Sequence, residues 1–550
     1  MLTNRSDTKK ILNITYFLTI IIFSSKQLFD SSKGGSTYDL FEQWMGAGYV
    51  FNKLQALINF DLKNTIFLNE LNVYDFFGYI FLLPAYIFER FINKLLYDPE
   101  TNLAIHSFAG YFSSEDAQTF YVLHLALIVY SIICLHIVFN QLKSLVNQKF
   151  STIFIIFLIL VPSFNGHALF NIKDIPFLFQ LLIAKIYLIK LLSRKQKIYN
   201  KREIIQAALL VSFSMLTRIN SILFILFLFA YMTFYNIKNL KIYLKNILII
   251  LSLSLLFLIV GSPSSWLNPI DWIYQTFMFQ SNHPWTGNTL TNGNFIFAQN
   301  MTPSYLMLWY FYKMPLYIHF SIILFIIYLI KGNKFNILTN YSAIFVFTTL
   351  TLFMFLKPTA YDGLRHFLFL IPFLIIIFTD TILLLEELNL RFFYPLLVSL
   401  LIYGIYTQYG LGEQRYTYFN EFTNLENISI ECDEVDGCGN WSSDYWGYSG
   451  KALSIQLNEN YKNENLLICE PVHAFSNYLN LNNYEIIQIN EISSVDNFLT
   501  LSIHRPRYGT DSCGFYQLNE KVTCKLVFEN TKTYREQKVV MSYIRLCSVK

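Results

Sequence analysis

The sequence predicts a polytopic α-helical membrane protein of about eleven transmembrane helices, followed by a C-terminal extracytoplasmic α/β domain. Three observations predict it. Of 550 residues, 54% are hydrophobic, 18% aromatic and only 14% charged, and mean hydropathy is +0.38, too apolar for a soluble chain of this length. The basic residues fall in short clusters between apolar runs, as in cytoplasmic loops. Six of seven cysteines (Cys432, Cys438, Cys469, Cys513, Cys524, Cys547) lie beyond the last apolar run, where an exported domain has use for disulfides. The net charge of +4 is too small to argue for a nucleic-acid partner.

The first run, Ile11 to Phe23, follows Arg5, Lys9 and Lys10 without a small-residue cleavage site; it reads as a signal anchor with a cytoplasmic N-terminus. Residues 30–118 carry eleven acidic and five basic side chains and form the first outer loop. Within them, 76–88 is apolar but has Asp75, Glu89, Arg90 and Lys94 at its ends, and reads as an interfacial or re-entrant helix. Further spans are expected near 119–139, 150–163, 174–193, 203–217, 219–236, 247–262, 315–331, 341–356, 365–385 and 392–408. That count puts Lys143 and Lys149, the cluster Arg194, Lys195, Lys197, Lys201 and Arg202, then Lys238, Lys241, Lys245, Lys331, Lys334 and Arg391 inside, as the positive-inside rule asks. Residues 1–408 form the membrane domain. Outside fall the loops 30–118 and 263–314, the turn 357–364 and the tail 409–550, and so the cysteines reach an oxidising compartment by a count that did not use them.

The tail alternates β-like runs (Leu466–Cys469, Tyr484–Ile489, Phe498–Ile503, Cys524–Phe528) with amphipathic stretches at Gly450–Asn460 and His473–Leu479, the pattern of a small α/β domain. At least partial disulfide bonding is expected, the near pair Cys432 and Cys438 included. The tail has no C-x-x-C pair or triad spacing, and no chemistry of its own is expected from it; it could cap, bind a partner or select acceptors.

Between two of the runs lies a polar island, Gly166-His167-Ala168-Leu169-Phe170-Asn171-Ile172-Lys173-Asp174-Ile175-Pro176-Phe177. A charge at the bilayer centre costs roughly 2.5–3.5 kcal/mol even on lenient scales, so His167, Lys173 and Asp174 belong at a membrane face or in a wet cavity. The plain alternative is a polar turn with Pro176 in the first turn of the next helix. On the same outer side the count collects Asp39, Glu42, Arg218, the loop His283-Pro284-Trp285-Thr286-Gly287, and Lys357 with Tyr361-Asp362-Gly363-Leu364-Arg365-His366-Phe367. Carboxylates beside fixed cations at a bilayer face suit group transfer from a lipid phosphate: the acid deprotonates an acceptor hydroxyl and the cations take the charge of the departing phosphate. Arg218, Lys357 and Arg365 would otherwise anchor helix ends to headgroups, and His167 and His366 would be structural histidines.

The island resembles the G-H-x-x-x-N-x-K-D-I-P-F signature of bacterial membrane glycosyltransferases of superfamily C, relatives of the protein O-mannosyltransferases and of the lipid A aminoarabinose transferase. Tyr361 to Phe369, His283 to Gly287, and Asp444-Tyr445-Trp446-Gly447-Tyr448-Ser449 resemble further blocks of the group. The resemblance implies an inverting transfer of a hexosyl or pentosyl unit from a polyprenyl-phosphate sugar to a protein, lipid or glycan acceptor, at the periplasmic face of the bacterial inner membrane. It also implies a catalytic carboxylate in the first outer loop. By position that is Asp39, but Leu40-Phe41-Glu42 departs from the denser pattern of the group and leaves Glu42 as a rival. Asp174 follows as a supporting acid, metal or acceptor contact, and His167, Lys173, Arg218, Lys357, Arg365 and His366 as substrate contacts. A divalent metal is possible, with Asp39, Glu42, Asp174 and His167 as donors, although no short metal motif joins them. The rival from another class is a transporter or flippase of a lipid-linked or sugar substrate, which would use interrupted helices and paired halves; no half-repeat is visible.

Overall fold

The computed structural model describes residues 5–37, 39–59, 71–95, 114–194, 199–237, 240–283, 285–388, 390–425, 428, 439–505, 513 and 522–549. Tyr38, Pro284, Lys195, Lys197, Lys238, Cys432 and Cys438 lie outside the described residues, and with them the expected Cys432–Cys438 pairing.

The chain begins with α1 (Arg5–Ser31), α2 (Leu40–Ile58) and α3 (Leu82–Leu95). Next come α4 (Ser114–Leu145), α5 (Gln148–Leu160), the short α6 (Pro162–His167) and α7 (Asp174–Leu192), then α8 (Lys201–Thr217), α9 (Ser221–Tyr235), α10 (Leu240–Gly261) and α11 (Pro269–Ser281). A hairpin, β1 (Asn288–Thr291) and β2 (Asn294–Phe297), precedes α12 (Tyr305–Lys313), α13 (Leu316–Ile330), α14 (Ile337–Leu356), α15 (Ile371–Leu388) and α16 (Leu390–Tyr406). Each of the eleven expected spans falls on helical segments. Among the described residues six segments are long and apolar enough to cross a membrane: Asp7–Ser31, Tyr121–Leu145, Asp174–Leu192, Leu240–Gly261, Ile337–Leu356 and Arg365–Leu388. Counting α12 and α13, bent by 111° at their junction, as one broken span gives up to seven. The difference from eleven is one of length, since α5 has 13 residues and rises about 20 Å, short of a hydrocarbon core of about 30 Å. Residues 76–88, expected as one apolar helix, divide between a 3₁₀ turn (Val73–Phe76) and α3. The amphipathic α2, in the expected loop, was not anticipated.

Helix boundaries follow local chemistry. Asn147 caps α5 by accepting from Phe150 N–H (2.8 Å), and Asn336 caps α14 by accepting from Thr339 N–H (2.9 Å). Asn200 and Glu203 form a capping box at α8. At the α12–α13 bend Asn420 Nδ2 donates to the Phe311 carbonyl, the acceptor that the missing N–H of Pro315 leaves without a helical partner, and to the Met314 carbonyl (2.9 Å).

Burial separates the helices. The membrane-length window of α7 is 89% buried, against 22% for α10 and 17% for α1, so the island opens the most central helix. The apolar side chains left outside, Ile11, Ile14, Phe17, Ile21 and Ile22 on α1 among them, form the surface that a lipid-embedded helix presents. At the centre, Lys185 of α7 is fully buried, its Nζ without a hydrogen-bond partner among the described residues. It is ringed by Phe224, Tyr341, Phe345 and Phe373, with Nζ 2.9 Å from the Phe345 centroid. A mid-span lysine costs roughly 2.5–3.5 kcal/mol and cation–π contacts return about 2. Lys185→Met, close in length, is therefore expected to stabilise the chain by about 1 kcal/mol, read as a higher melting midpoint in detergent; a lower midpoint refutes it.

The tail is a mixed five-stranded sheet of order β4-β3-β5-β7-β6, from β3 (Glu464–Ile468), β4 (Tyr484–Ile486), β5 (Asn497–Ile503), β6 (Val522–Tyr534) and β7 (Gln537–Val549). β3 runs parallel to β4 and β5, and β7 antiparallel to β5 and β6. Leu499, Leu501 and Ile503 alternate onto one face, where Leu453 and Leu457 of α17 (Gly450–Asn460) and Phe475 of α18 (Val472–Ser476) cover them. Phe498 points to the other face, with Cys469, Cys513 and Cys547. Disulfides Cys469–Cys513 and Cys524–Cys547 staple the domain; Cys134 in α4 is free and buried. Trp441, Tyr534, Val539 and Met541 join the membrane domain's own apolar core.

Candidate functional site

The island is a folded device. Asn171 Oδ1 accepts from the Asp174 N–H (2.8 Å) and its Nδ2 donates to Asp174 Oδ2 (3.0 Å), so the acid that opens α7 has a fixed rotamer. The other oxygen of Asp174 takes the Arg218 guanidinium, which arrives from the turn between α8 and α9. Lys173 lies over the Phe77 ring at 4.0 Å. Gly166 answers a close approach, because a Cβ there would stand 2.1 Å from the Tyr416 backbone nitrogen, where the tail's first turn crosses the island.

The second acid group enters from the first loop. Asp39 is the N-cap residue of α2, yet its side chain makes no capping bond. Instead Asp39 Oδ2 accepts from Arg365 Nη1 at 2.6 Å, across 326 residues of sequence. Arg365 is buried, flanked by the Tyr361 ring at 4.2 Å and the Trp446 ring at 4.9 Å. Its Nη1 is 3.8 Å from Asp362 Oδ2, and Arg505 Nη2 donates to Asp362 Oδ1 at 2.7 Å. Asp362 and Gly363 both have left-handed backbones (φ 53° and 74°), the turn that aims Asp362 inward. Glu42, one turn into α2, has no ion-pair partner among the described residues and lines the cavity; burial, then the neighbouring Asp39, raises its carboxyl above the usual range.

These groups line one cavity of about 520 Å³. Its polar end carries Asp39, Glu42, Lys173, Asp174, Arg218, Arg365 and His366; its wall continues over Leu223, Phe224 and Phe227 of α9 and Phe345, Leu352 and Phe353 of α14. Seven of the nine anticipated site residues therefore meet. His167 and Lys357 do not line it. The His167 ring is buried behind the wall, 3.3 Å from Asn171 Nδ2 and 3.4 Å from the Tyr445 hydroxyl; burial takes its pKa down to about 3, Lys313 and Arg365 adding to this against the pull of Asp174. It is a neutral packing ring. Lys357 is exposed at the end of α14.

No family model and no curated protein matches this chain. Among solved structures it is similar to ArnT from Cupriavidus metallidurans bound to undecaprenyl phosphate, with 9% identity and a TM-score of 0.40 over 77% of this chain and 84% of that one. It is similar too to ArnT of the same organism in the apo state, at 9% identity and a TM-score of 0.39, over 78% and 83%. The likeness is to a lipid A aminoarabinose transferase, in the group that the island resembles. It is remote and carries no argument about substrate or residues.

Among the lining groups that escaped the sequence reading are two on α11. Gln280 and Phe279 of α11 line the cavity, and Gln280 Oε1 accepts from the Ile219 N–H beside Arg218 (3.0 Å). His283 lines it as well; burial, then Lys173 and Arg365, lowers its pKa to about 4. Tail residues Trp446 and Arg505 reach the polar end only through Arg365 and Asp362, and no local spacing signals that. Among the described residues, no three His, Cys, Asp or Glu side chains group to hold a metal ion, and Asp39 and Asp174 are each paired with an arginine.

Lys173 has its ammonium pKa lowered to about 7, by burial first and by Arg218 second, against the opposing pull of Asp174 and Asp39. A bound anion favours the protonated form, so between pH 7 and the higher pKa of the complex, binding takes up a proton. Affinity for a phosphate-monoester probe should then fall as pH rises from 7 to 9, by up to about tenfold per unit, while the phosphate's own second ionisation, near 6, is largely complete. Titration at pH 6, 7, 8 and 9 measures this, and Lys173→Met should flatten the slope; an equal slope in that variant refutes it.

Proposed function

We propose that this chain is an integral-membrane glycosyltransferase that moves a sugar, hexosyl or pentosyl, from a polyprenyl-phosphate donor to an acceptor hydroxyl, with inversion. The carrying observation is the two-ended cavity: three cations and three carboxylates at one end, and apolar rings of α9 and α14 along the wall. A phosphate with a sugar on one side and an isoprenoid chain on the other matches that division. In the proposed step Asp39 takes the acceptor hydroxyl proton, and the acceptor oxygen bonds to the anomeric carbon as its bond to the phosphate oxygen breaks. The electron pair stays on the phosphate. Arg218, Lys173 and Arg365 face the charge that develops there; Asp174 holds Arg218, and His366 shapes the wall. Exposed Lys357 would at most meet a headgroup. The membrane is the bacterial inner membrane in this reading, with the N-terminus cytoplasmic and residues 409–550 a periplasmic domain over the site.

Purified chain with radiolabelled polyprenyl-phosphate sugars and a panel of protein, lipid and glycan acceptors tests the reading. Covalent transfer supports it. Substrate crossing sealed vesicles with no covalent product favours a transporter and overturns it.

A further inference from the structure

Resting on the reading above, we infer that Arg505, in the C-terminal domain, is a positioning residue: by neutralising Asp362 it keeps Arg365 on Asp39. The four charges form a row. Arg505 Nη2 is 2.7 Å from Asp362 Oδ1, Asp362 Oδ2 is 3.8 Å from Arg365 Nη1, and the same Nη1 is 2.6 Å from Asp39 Oδ2. One guanidinium nitrogen thus stands between two carboxylates, and the nearer is the one in the cavity. Asp362 is anchored where it is: its N–H donates to Thr289 Oγ1 at 3.1 Å, and the next residue's N–H to the Tyr305 hydroxyl at 3.1 Å. These bonds fix its backbone beside Arg365. Arg505 answers its charge from the end of β5, where the His504 N–H donates to the Met541 carbonyl (2.8 Å) and ties the segment to β7.

The domain therefore completes the site although none of its described residues lines the cavity. Without the Arg505 charge, Asp362 draws Arg365 across and leaves Asp39 misoriented, and a misplacement of about 1 Å at reacting groups costs up to about 100-fold in rate. An arginine that only fastened the tail to the turn would instead act through stability.

The test measures kcat, donor KM and melting midpoint of the full-length chain in Arg505→Met, in Arg505→Gln, which keeps a hydrogen-bond donor but no charge, and in the double variant Asp362→Asn/Arg505→Met. The expected result is a kcat loss of about 10–100-fold in both single variants, donor KM within about threefold, and recovery of most of kcat in the double variant. Unchanged kcat in Arg505→Gln overturns the inference, as does a double variant that regains its melting midpoint but not its kcat. If Arg505→Met fails to fold, Arg505→Gln decides alone. An experimental structure of Arg505→Gln separates this inference from the functional reading: Arg365 is expected to leave Asp39 for Asp362, and a guanidinium still on Asp39 overturns it whether or not the parent chain transfers sugar.

Discussion

Asp39→Asn is expected to lower kcat by about 10²–10⁴-fold while membrane insertion, expression and melting midpoint stay close to the parent's. The side chain is 30% exposed and opens on the cavity, whereas its partner Arg365 is only 2% exposed, so the substitution removes a carboxylate at the cavity without emptying a core. The loss has two sources. The proton acceptor disappears, and Arg365 loses its 2.6 Å partner and is left with Asp362 at 3.8 Å. Glu42→Gln is the necessary companion. Arg365 pairs with Asp39 and not with Glu42, and glutamine keeps the shape of the side chain, so the substitution is expected to cost about tenfold or less. Transfer rates of both variants with a saturating donor check the order. Full turnover in Asp39→Asn sinks the assignment of the base, and a larger loss in Glu42→Gln hands the role to Glu42.

What the sequence discloses and what it hides divide along contact range. Apolar runs are long and local, so α7, α9 and α14 of the site stand where they are read, while α2 and α11 lie inside expected loops and were not read; Gly450–Asn460 of the tail matches its helix. The island was legible because Asn171, Lys173 and Asp174 act within three residues of one another. Asp39 with Arg365, and Asp362 with Arg505, are separated by 326 and 143 positions; such pairs leave no periodicity. The count of spans brought Asp39 and Arg365 onto one face but not into contact. The hairpin at Asn292-Gly293 carries the standard signal of a two-residue turn, with φ of 48° and 80°, and could have been read. The turn between β6 and β7 could not: Arg535 and Glu536 take φ of 48° and 65° with neither Gly nor Asn to announce it, and so β7 went unseen.

Asp444→Asn is expected to destabilise the tail by on the order of 3 kcal/mol and to lower transfer in the molecules that remain folded. Asp444 is fully buried. Its Oδ1 accepts from the N–H groups of Trp446 (3.3 Å), Gly447 (2.8 Å) and Tyr448 (3.2 Å) and from the Tyr416 hydroxyl, and Oδ2 accepts from the Ser449 N–H at 2.8 Å. One carboxylate thus folds the whole Asp444-Tyr445-Trp446-Gly447-Tyr448-Ser449 block around itself, with Gly447 supplying the positive φ of 79° that closes the turn. An amide of the same shape has to turn its NH₂ toward at least one of these donors, and hydrogen bonds to a charged group are worth about 1.5–3 kcal/mol each. The block carries Trp446 onto Arg365 and Tyr445 onto His167, so its loosening reaches the cavity through the stacking that holds Arg365. The measurement is paired: melting midpoint, and kcat per folded molecule. Trp446→Leu, which keeps the Asp444 carboxylate and its donors, should lower kcat with a smaller change in midpoint. If Asp444→Asn lowers the midpoint but leaves kcat per folded molecule at the parent value, the block is a fold element alone and its link to Arg365 fails.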